Sequence, residues 1–382
     1  MEYRKLGNTG LDVSVIGMGC EGFAEEGCAM AEKLFDAAER LGINYFDLYA
    51  SDPAMRAAVG RALKGRRDKF VIQSHICSVW KDGQYMRTRK LSEVREGFEE
   101  MMSLLGVDSI EVGMIHYCDS MKDWEAIVEG GVLDYARQLK ASGRIEHIGL
   151  SSHNPLVAER AVKEGGIEVL MFSINPCYDL QPASENVEDI WDEKNYEGHL
   201  TNMDPDRERL YETCQSMGVG ITVMKPYGGG DLLNAELSPA GAALTVDQCL
   251  HYALTRPAVA VALAGARSVE QLEEAAAYCD KSDEEKDYAE ALASFPRISW
   301  KGHCMYCSHC EPCPMHIDIA NVTKFLNLAK AQGFLPETVR EHYAVLEHHA
   351  SECLKCGSCE SRCPFGVKIA ERMSKAAELF GC

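Results

Sequence analysis

Long uncharged apolar runs are missing from this chain: none approaches the ~20 residues that a membrane-spanning helix needs. Positive charge is scarce. Lys and Arg number 39 against 59 Asp and Glu, a formal net charge of −20. That balance disfavours nucleic acid and anionic membrane surfaces and favours solubility. The deficit is local, since residues 300–382 carry nine basic and nine acidic side chains, leaving 30 against 50 in residues 1–299. The chain opens Met-Glu-Tyr-Arg-Lys without an apolar signal segment, and its 17 cysteines are an odd number. A secreted disulfide framework is therefore not expected, and free thiols on this scale point to a reducing cytoplasm, in an anaerobic or microaerobic cell. No flavin fingerprint is present, and no His-x-His or His-x3-His pair suggests a histidine metal site.

What the chain does have is cysteine in a pattern. Cys304-x2-Cys307-x2-Cys310-x2-Cys313 is closed by Pro314, and Cys353-x2-Cys356-x2-Cys359-x3-Cys363 is closed by Pro364. Three thiols spaced by three fit a loop wrapped around an iron–sulfide cube, each taking one iron corner. The fourth, followed by proline, characteristically ligates the other cluster. The expected partition is Cys304, Cys307, Cys310 and Cys363 on one [4Fe–4S] centre and Cys353, Cys356, Cys359 and Cys313 on a second. Structural zinc needs only four ligands in two pairs. Two runs of four overshoot that requirement.

Residues 1–280 alternate short β-rich runs with helix-length amphipathic segments. The predicted strands are 13–17, 43–47, 70–74, 109–115, 145–151, 169–174, 220–224 and 259–264. The predicted helices include 29–41, 92–105, 121–141, 154–163, 206–217, 245–254 and 268–279. Eight such strands, each followed by a helix, make a (β/α)8 TIM barrel the expected α/β fold, ahead of an open doubly wound sheet. The chain would divide into a barrel over residues 1–298 and a mostly helical ferredoxin-like di-cluster domain over 299–382. Barrel chemistry sits at the carboxyl ends of the strands. Asp47, Tyr49, His75, His116, Ser151, Ser152, His153 and Asn175 all fall there, as do Cys20, Cys77, Cys118 and Cys177. A buried cysteine is usually a small apolar filler, but four on one rim could include a substrate contact. The acidic excursion 181–205 reads as a lid or partner-facing segment that Trp191, Tyr196 and Leu200 would pack.

The opening through Val15-Ile16-Gly17-Met18-Gly19 resembles the aldo-keto reductases, as do Ile43-Asn44-Tyr45-Phe46-Asp47, Ile115-His116, Ile148-Gly149-Leu150-Ser151, Met224-Lys225-Pro226 and Gly265-Ala266-Arg267-Ser268. The tail resembles the ferredoxin-type extension of one bacterial and archaeal branch of that family. The resemblance implies NAD(P)H-linked reduction of a small carbonyl substrate through an Asp, a Tyr, a Lys and a His. Asp47 and His116 match two of these. His75 stands at the lysine position, Asp52 stands at the tyrosine position, and Tyr49, two residues past Asp47, could supply a phenol from a shifted place. Ser151, Ser152 and Asn175 match where the family bonds the nicotinamide amide. Gly265, Arg267, Ser268 and Gln271 match its adenosine-phosphate clasp, and Lys225 leads a Gly-rich loop over the cofactor. A nicotinamide moves two electrons at once and a [4Fe–4S] centre one, so a ferredoxin or flavoprotein partner is implied. Two alternatives stay open: a cluster-fed reductase that uses no nicotinamide, and a non-enzymatic electron carrier on a degenerate barrel.

Overall fold

The computed structural model describes residues 1–20, 23, 28–190, 192–196 and 200–382, with backbone alone for Cys28, Glu193, Ala331 and Gln332. A hairpin of β1 (Tyr3–Lys5) and β2 (Asp12–Ser14) comes first. Then follow β3 (Ile16–Gly19), β4 (Tyr45–Leu48) and β5 (Val71–Ile76), a second hairpin of β6 (Ser78–Lys81) and β7 (Gln84–Arg87), and β8 (Ile110–Ile115), β9 (Ile145–Ser152), β10 (Val169–Ser173), β11 (Gly220–Met224) and β12 (Val259–Ala264). Strands β3, β4, β5, β8, β9, β10, β11 and β12 pair in parallel in that order, and β12 returns to β3 to close a barrel. Gly17, Gly19 and Gly22 have the Gly-x-Gly-x-x-Gly spacing of an open dinucleotide-binding sheet. Closure between β12 and β3 overrules that local signal.

Strand alternation sorts the side chains. Tyr45, Val112, Met114, Val169, Val261 and Leu263 fill the lumen, and Leu6 and Val13 of the first hairpin plug its lower end. The outward faces meet the helices in a larger apolar core. The sequence pattern placed one strand over 13–17; the chain instead divides at Val15, because Asp12–Ser14 must pair back on β1 while Ile16 enters the barrel. The single predicted helix over 121–141 is two, Met121–Glu129 and Val132–Ala141, broken where Gly131 takes φ 80°. Helix Pro53–Leu63 follows β4, as the alternation of strand and helix requires. Asp52 caps it by accepting the Met55 N–H at 2.9 Å, a physical reason for an acid at that position. Of the excursion 181–205, Tyr196 is buried and donates to the Ile190 carbonyl at 2.7 Å, Leu200 is half-buried, and Trp191 lies outside the described residues.

Beyond the barrel, helix Ile319–Gln332 packs on both Ile369–Phe380 and the barrel helix Pro205–Met217. Buried Arg256 ties the two parts: it donates to the Met305 carbonyl and the Tyr288 hydroxyl, each at 2.9 Å, while Tyr288 donates to the same carbonyl at 2.8 Å. Among the described residues no helix is long and apolar enough to cross a membrane.

Candidate functional site

The carboxyl ends of β4, β5 and β8 bring together three of the residues expected from sequence. Asp47 shares the inward face of β4 with Tyr45, and His75 follows Gln73 at the same period of two. His116, one residue beyond β8, aligns with them. His75 Nε2 lies 2.9 Å from Asp47 Oδ1, and His75 Nδ1 lies 2.6 Å from His116 Nδ1. Asp47 and His75 are both buried. Below them Gln73 donates to Asp47 Oδ1 at 2.6 Å, and its carbonyl oxygen accepts from the Tyr45 hydroxyl at 2.7 Å. A buried carboxylate must be paired to be tolerated, and Asp47 is paired twice. Burial, and then the neighbouring His75, pushes His116 well below the ordinary histidine range.

Tyr49 lies flat against His116, with ring centroids 5.9 Å apart and planes 11° apart, and meets His75 edge-on at 6.3 Å. A second phenol reaches the same histidine. Tyr85 OH lies 2.8 Å from His116 Nε2. It is carried by β6–β7, whose turn places Asp82 at φ 53° and Gly83 at φ 76°. Sequence reasoning missed this tyrosine, although Asp-Gly between two alternating runs is a strong hairpin signal. Arg89 fixes the rim beneath it, donating to the His116 and Tyr117 carbonyls and to both oxygens of Asp123.

The residues expected at a nicotinamide lie on the same rim, several of them held by the fold. Ser151 Oγ accepts the Tyr117 N–H at 2.8 Å, and Ser152 donates to Asp119 at 3.0 Å. Asp119 also holds His153 Nδ1 at 2.9 Å. Asn175 accepts the Cys177 and Tyr178 N–H groups and donates to the Lys225 carbonyl at 3.0 Å. Helix Val269–Ala277 starts after β12, capped by Ser268, which accepts the Gln271 N–H at 3.3 Å; Gln271 in turn accepts the Arg267 N–H at 2.8 Å. Arg267 is exposed there, Glu270 sits in the first turn, and among the described residues no atom beyond its chain neighbours comes within 4 Å of where a Cβ on Gly265 would sit. Cys20, Cys77, Cys118 and Cys177 are all buried free thiols. Burial pushes Cys118 up to about 12 and Cys20 well above the ordinary range, so they behave as small apolar groups.

The two cysteine runs close around two hollows. One is lined by Cys304, Cys307, Cys310 and Cys363 with Phe365 and Val367, the other by Cys313, Cys353, Cys356 and Cys359 with Ile317 and Met373. The fourth thiol of each run thus lies at the other run's hollow. Both runs take left-handed turns on each side of their second cysteine, at Tyr306 and Ser308 and again at Lys355 and Gly357. Each Cys-Pro then leads through another, at His316 or Gly366, into a helix starting at Ile319 or Ile369. Arg362 ties the runs together by donating to the Cys310 and Pro312 carbonyls at 2.6 and 2.8 Å. All eight thiols are free of disulfides. Among the described residues no three His, Cys, Asp or Glu gather as one metal ion requires. Thiols standing apart around an apolar hollow suit a cluster that offers one iron to each.

Comparison with known proteins agrees with both halves. The model of the aldo/keto reductase family matches residues 16–248, and that of the 4Fe-4S dicluster domain matches residues 301–367. The chain is 27% identical over 290 residues to YqkF of Bacillus subtilis (strain 168), named an uncharacterized oxidoreductase, covering 72% of this chain and 90% of that protein. Aldo-keto reductase YhdN of the same organism is 26% identical over 166 residues, 40% of this chain and 47% of its own. Among solved structures, the holo form of aldo-keto reductase AKR11C1 from Bacillus halodurans superposes with a TM-score of 0.59 at 23% identity, over 75% of this chain and 94% of that one, a likeness of fold.

Proposed function

Since the chain belongs to the aldo/keto reductase family and carries a 4Fe-4S dicluster domain, it is an oxidoreductase, and we propose that it reduces a small carbonyl substrate with NADH or NADPH at the barrel mouth. The observation that carries this reading is the buried Asp47–His75–His116 group at the carboxyl ends of β4, β5 and β8, with phenols beside it. Asp47 holds and orients His75; His75 takes the cationic role of the family's lysine; His116 supports a phenol that faces the substrate oxygen. Ser151, Ser152, Asn175 and Lys225 would line the nicotinamide end. Gly265, Arg267, Ser268 and Gln271 would meet the adenosine phosphate, where a helix N-terminus and an arginine favour an anion. A bound reduced nicotinamide supplies the hydride.

In the same proposal the tail, beginning near residue 299, holds two [4Fe–4S] clusters. Cys304, Cys307, Cys310 and Cys363 would hold one, and Cys313, Cys353, Cys356 and Cys359 the other. They would pass single electrons to or from a ferredoxin or flavoprotein. A second reading, in which clusters feed the substrate without nicotinamide, is favoured by one observation: the Ser152 and Asn175 side chains are already committed to Asp119, Lys225 and the turn after β10.

Protein prepared without oxygen should contain about eight irons and eight sulfides per chain. Titrating it with NADH and with NADPH while following nicotinamide fluorescence, then assaying a panel of aldehydes and ketones, tests the rest. Binding with carbonyl reduction supports the proposal. Turnover driven by a one-electron donor, with neither nucleotide bound, replaces it by the second reading.

A further inference from the structure

Among the described residues, Tyr85, His116, His75 and Asp47 follow one another in a hydrogen-bonded chain. Its contacts run 2.8 Å from Tyr85 OH to His116 Nε2, 2.6 Å between the two Nδ1 atoms, and 2.9 Å from His75 Nε2 to Asp47 Oδ1. Exposure falls along it, from 42% at Tyr85 through 8% at His116 to 2% at His75 and Asp47. The inner end is closed. Gln73 donates to Asp47 and accepts from Tyr45, and an amide does not relay protons at neutral pH. Among the described members of the chain, Tyr85 is the exposed one, and a proton held on the chain exchanges with solvent there. We propose that Tyr85 is the proton donor to the substrate oxygen, and that His116, His75 and Asp47 are a single-file proton store behind it, discharged once per turnover. This rests on the carbonyl reduction proposed above and deepens it by assigning the acid.

The short Nδ1···Nδ1 contact permits one proton between the rings and no more, which allows the chain two states. In the charged state His75 is an imidazolium. It donates through Nε2 to Asp47 and through Nδ1 to His116, and His116 donates through Nε2 to the Tyr85 oxygen. The Tyr85 O–H is then left pointing at the mouth. In the discharged state all three groups outside Asp47 are neutral and every bond runs inward, Tyr85 to His116, His116 to His75, His75 to Asp47. The two differ by one proton.

The reaction uses that difference. A hydride reaches the carbonyl carbon, a C–H bond forms, and the C=O π pair passes to oxygen. The oxygen takes the Tyr85 proton, Tyr85 takes the Nε2 proton of His116, and His116 takes the Nδ1 proton of His75. The alcohol is formed and the chain is discharged, to be reloaded from water through Tyr85 after product leaves. The groups facing the two rings are Asp47 and Tyr49 from β4, Tyr85 and Arg87 from β7, Arg89, Tyr117, and His153 with Asp119. Burial, His75 and the arginines disfavour charge on His116, whereas His75 has the Asp47 carboxylate 2.9 Å from its Nε2 to stand against a proton held there. Tyr49, stacked on His116, holds that ring in line.

Two measurements on the cluster-containing chain test this. The first needs no turnover: ¹⁵N-histidine NMR from about pH 5 to 9. The expected result is that His116 stays neutral and moves its proton from Nε2 to Nδ1 as the chain discharges; a His116 that keeps one tautomer overturns the store. The second is carbonyl reduction across the same pH range. Tyr85→Phe should lower kcat by about 10²- to 10⁴-fold with nicotinamide binding unchanged, while Tyr49→Phe loses less than about tenfold. Wild-type kcat should fall as pH rises and the chain is left discharged. His75→Gln, which hydrogen-bonds but does not ionise, should be slow and flat with pH. A fully active Tyr85→Phe beside a dead Tyr49→Phe overturns Tyr85 as donor. A tautomer switch without nicotinamide binding would remove the proposed cofactor and leave the proton store supported.

Discussion

Glu212 is an acid held away from water. It lies on the face of helix Pro205–Met217 turned toward the C-terminal part, 3% exposed, and its Oε1 finds no hydrogen-bond partner among the described residues. Burial, and then the nearby carboxylate of Glu208, pushes Glu212 up to about 8. The unfolded chain releases this proton near about 4.3, so between those values the folded state binds more protons than the unfolded one. Stability therefore falls as pH rises from about 5 to 8, the reverse of a salt-bridged carboxylate. Glu212→Gln removes that slope. The variant should match the wild type near pH 5 and exceed it by on the order of 2 kcal/mol near pH 8. Urea unfolding at both values checks this, and parallel pH dependence of the two proteins would contradict it.

The β6–β7 hairpin owes its position to a glycine. A Cβ built on Gly97 of helix Leu91–Leu105 would fall 2.4 Å from Cγ1 of Val79 on β6. A β-branched side chain is stiff at χ1 and yields little, so the hairpin is pressed outward. Gly97→Ala is expected to destabilise the chain by about 1–3 kcal/mol through overpacking. It should also lift Tyr85 from its 2.8 Å contact with His116, and so lower kcat for carbonyl reduction with little change in KM. Thermal melts beside steady-state kinetics separate the two effects. Unaltered kcat in a destabilised variant would show that the hairpin's seat does not govern the reaction.

Across the whole molecule, the cysteine runs are interleaved where the barrel strands are sequential. Cys363 lies at the hollow of the first run and Cys313 at that of the second. Cys363→Ala should therefore strip the cluster assigned to Cys304, Cys307 and Cys310 and lower iron from about eight to about four per chain. The variant's remaining cluster should be lost on replacing Cys356 and kept on replacing Cys307, as followed by iron analysis and by electron paramagnetic resonance after reduction. The opposite pattern would refute crossed ligation. Arg256, buried between Met305, Tyr288 and Tyr252, should keep the barrel and tail joined through the loss.

The barrel strands were legible because each is a local apolar run with its own punctuation; β11 and β12 fall at their expected bounds. The cysteine runs were legible because cluster ligation is written in spacing along a few residues. Asp47, His75 and His116 could be placed on one rim from strand ends alone. Their hydrogen-bonded order could not, since it depends on the register that sets Asp47 beside Gln73 and His75 beside Met114. Tyr85 lay further out of reach, because it arrives on a hairpin whose seat is a glycine in a helix it meets only after folding. Sequence by itself determined which groups the chain owns and which short segments carry them. The closed barrel decided which of them touch, because side-chain contacts across strands are set by long-range pairing and packing, which no local run of residues encodes.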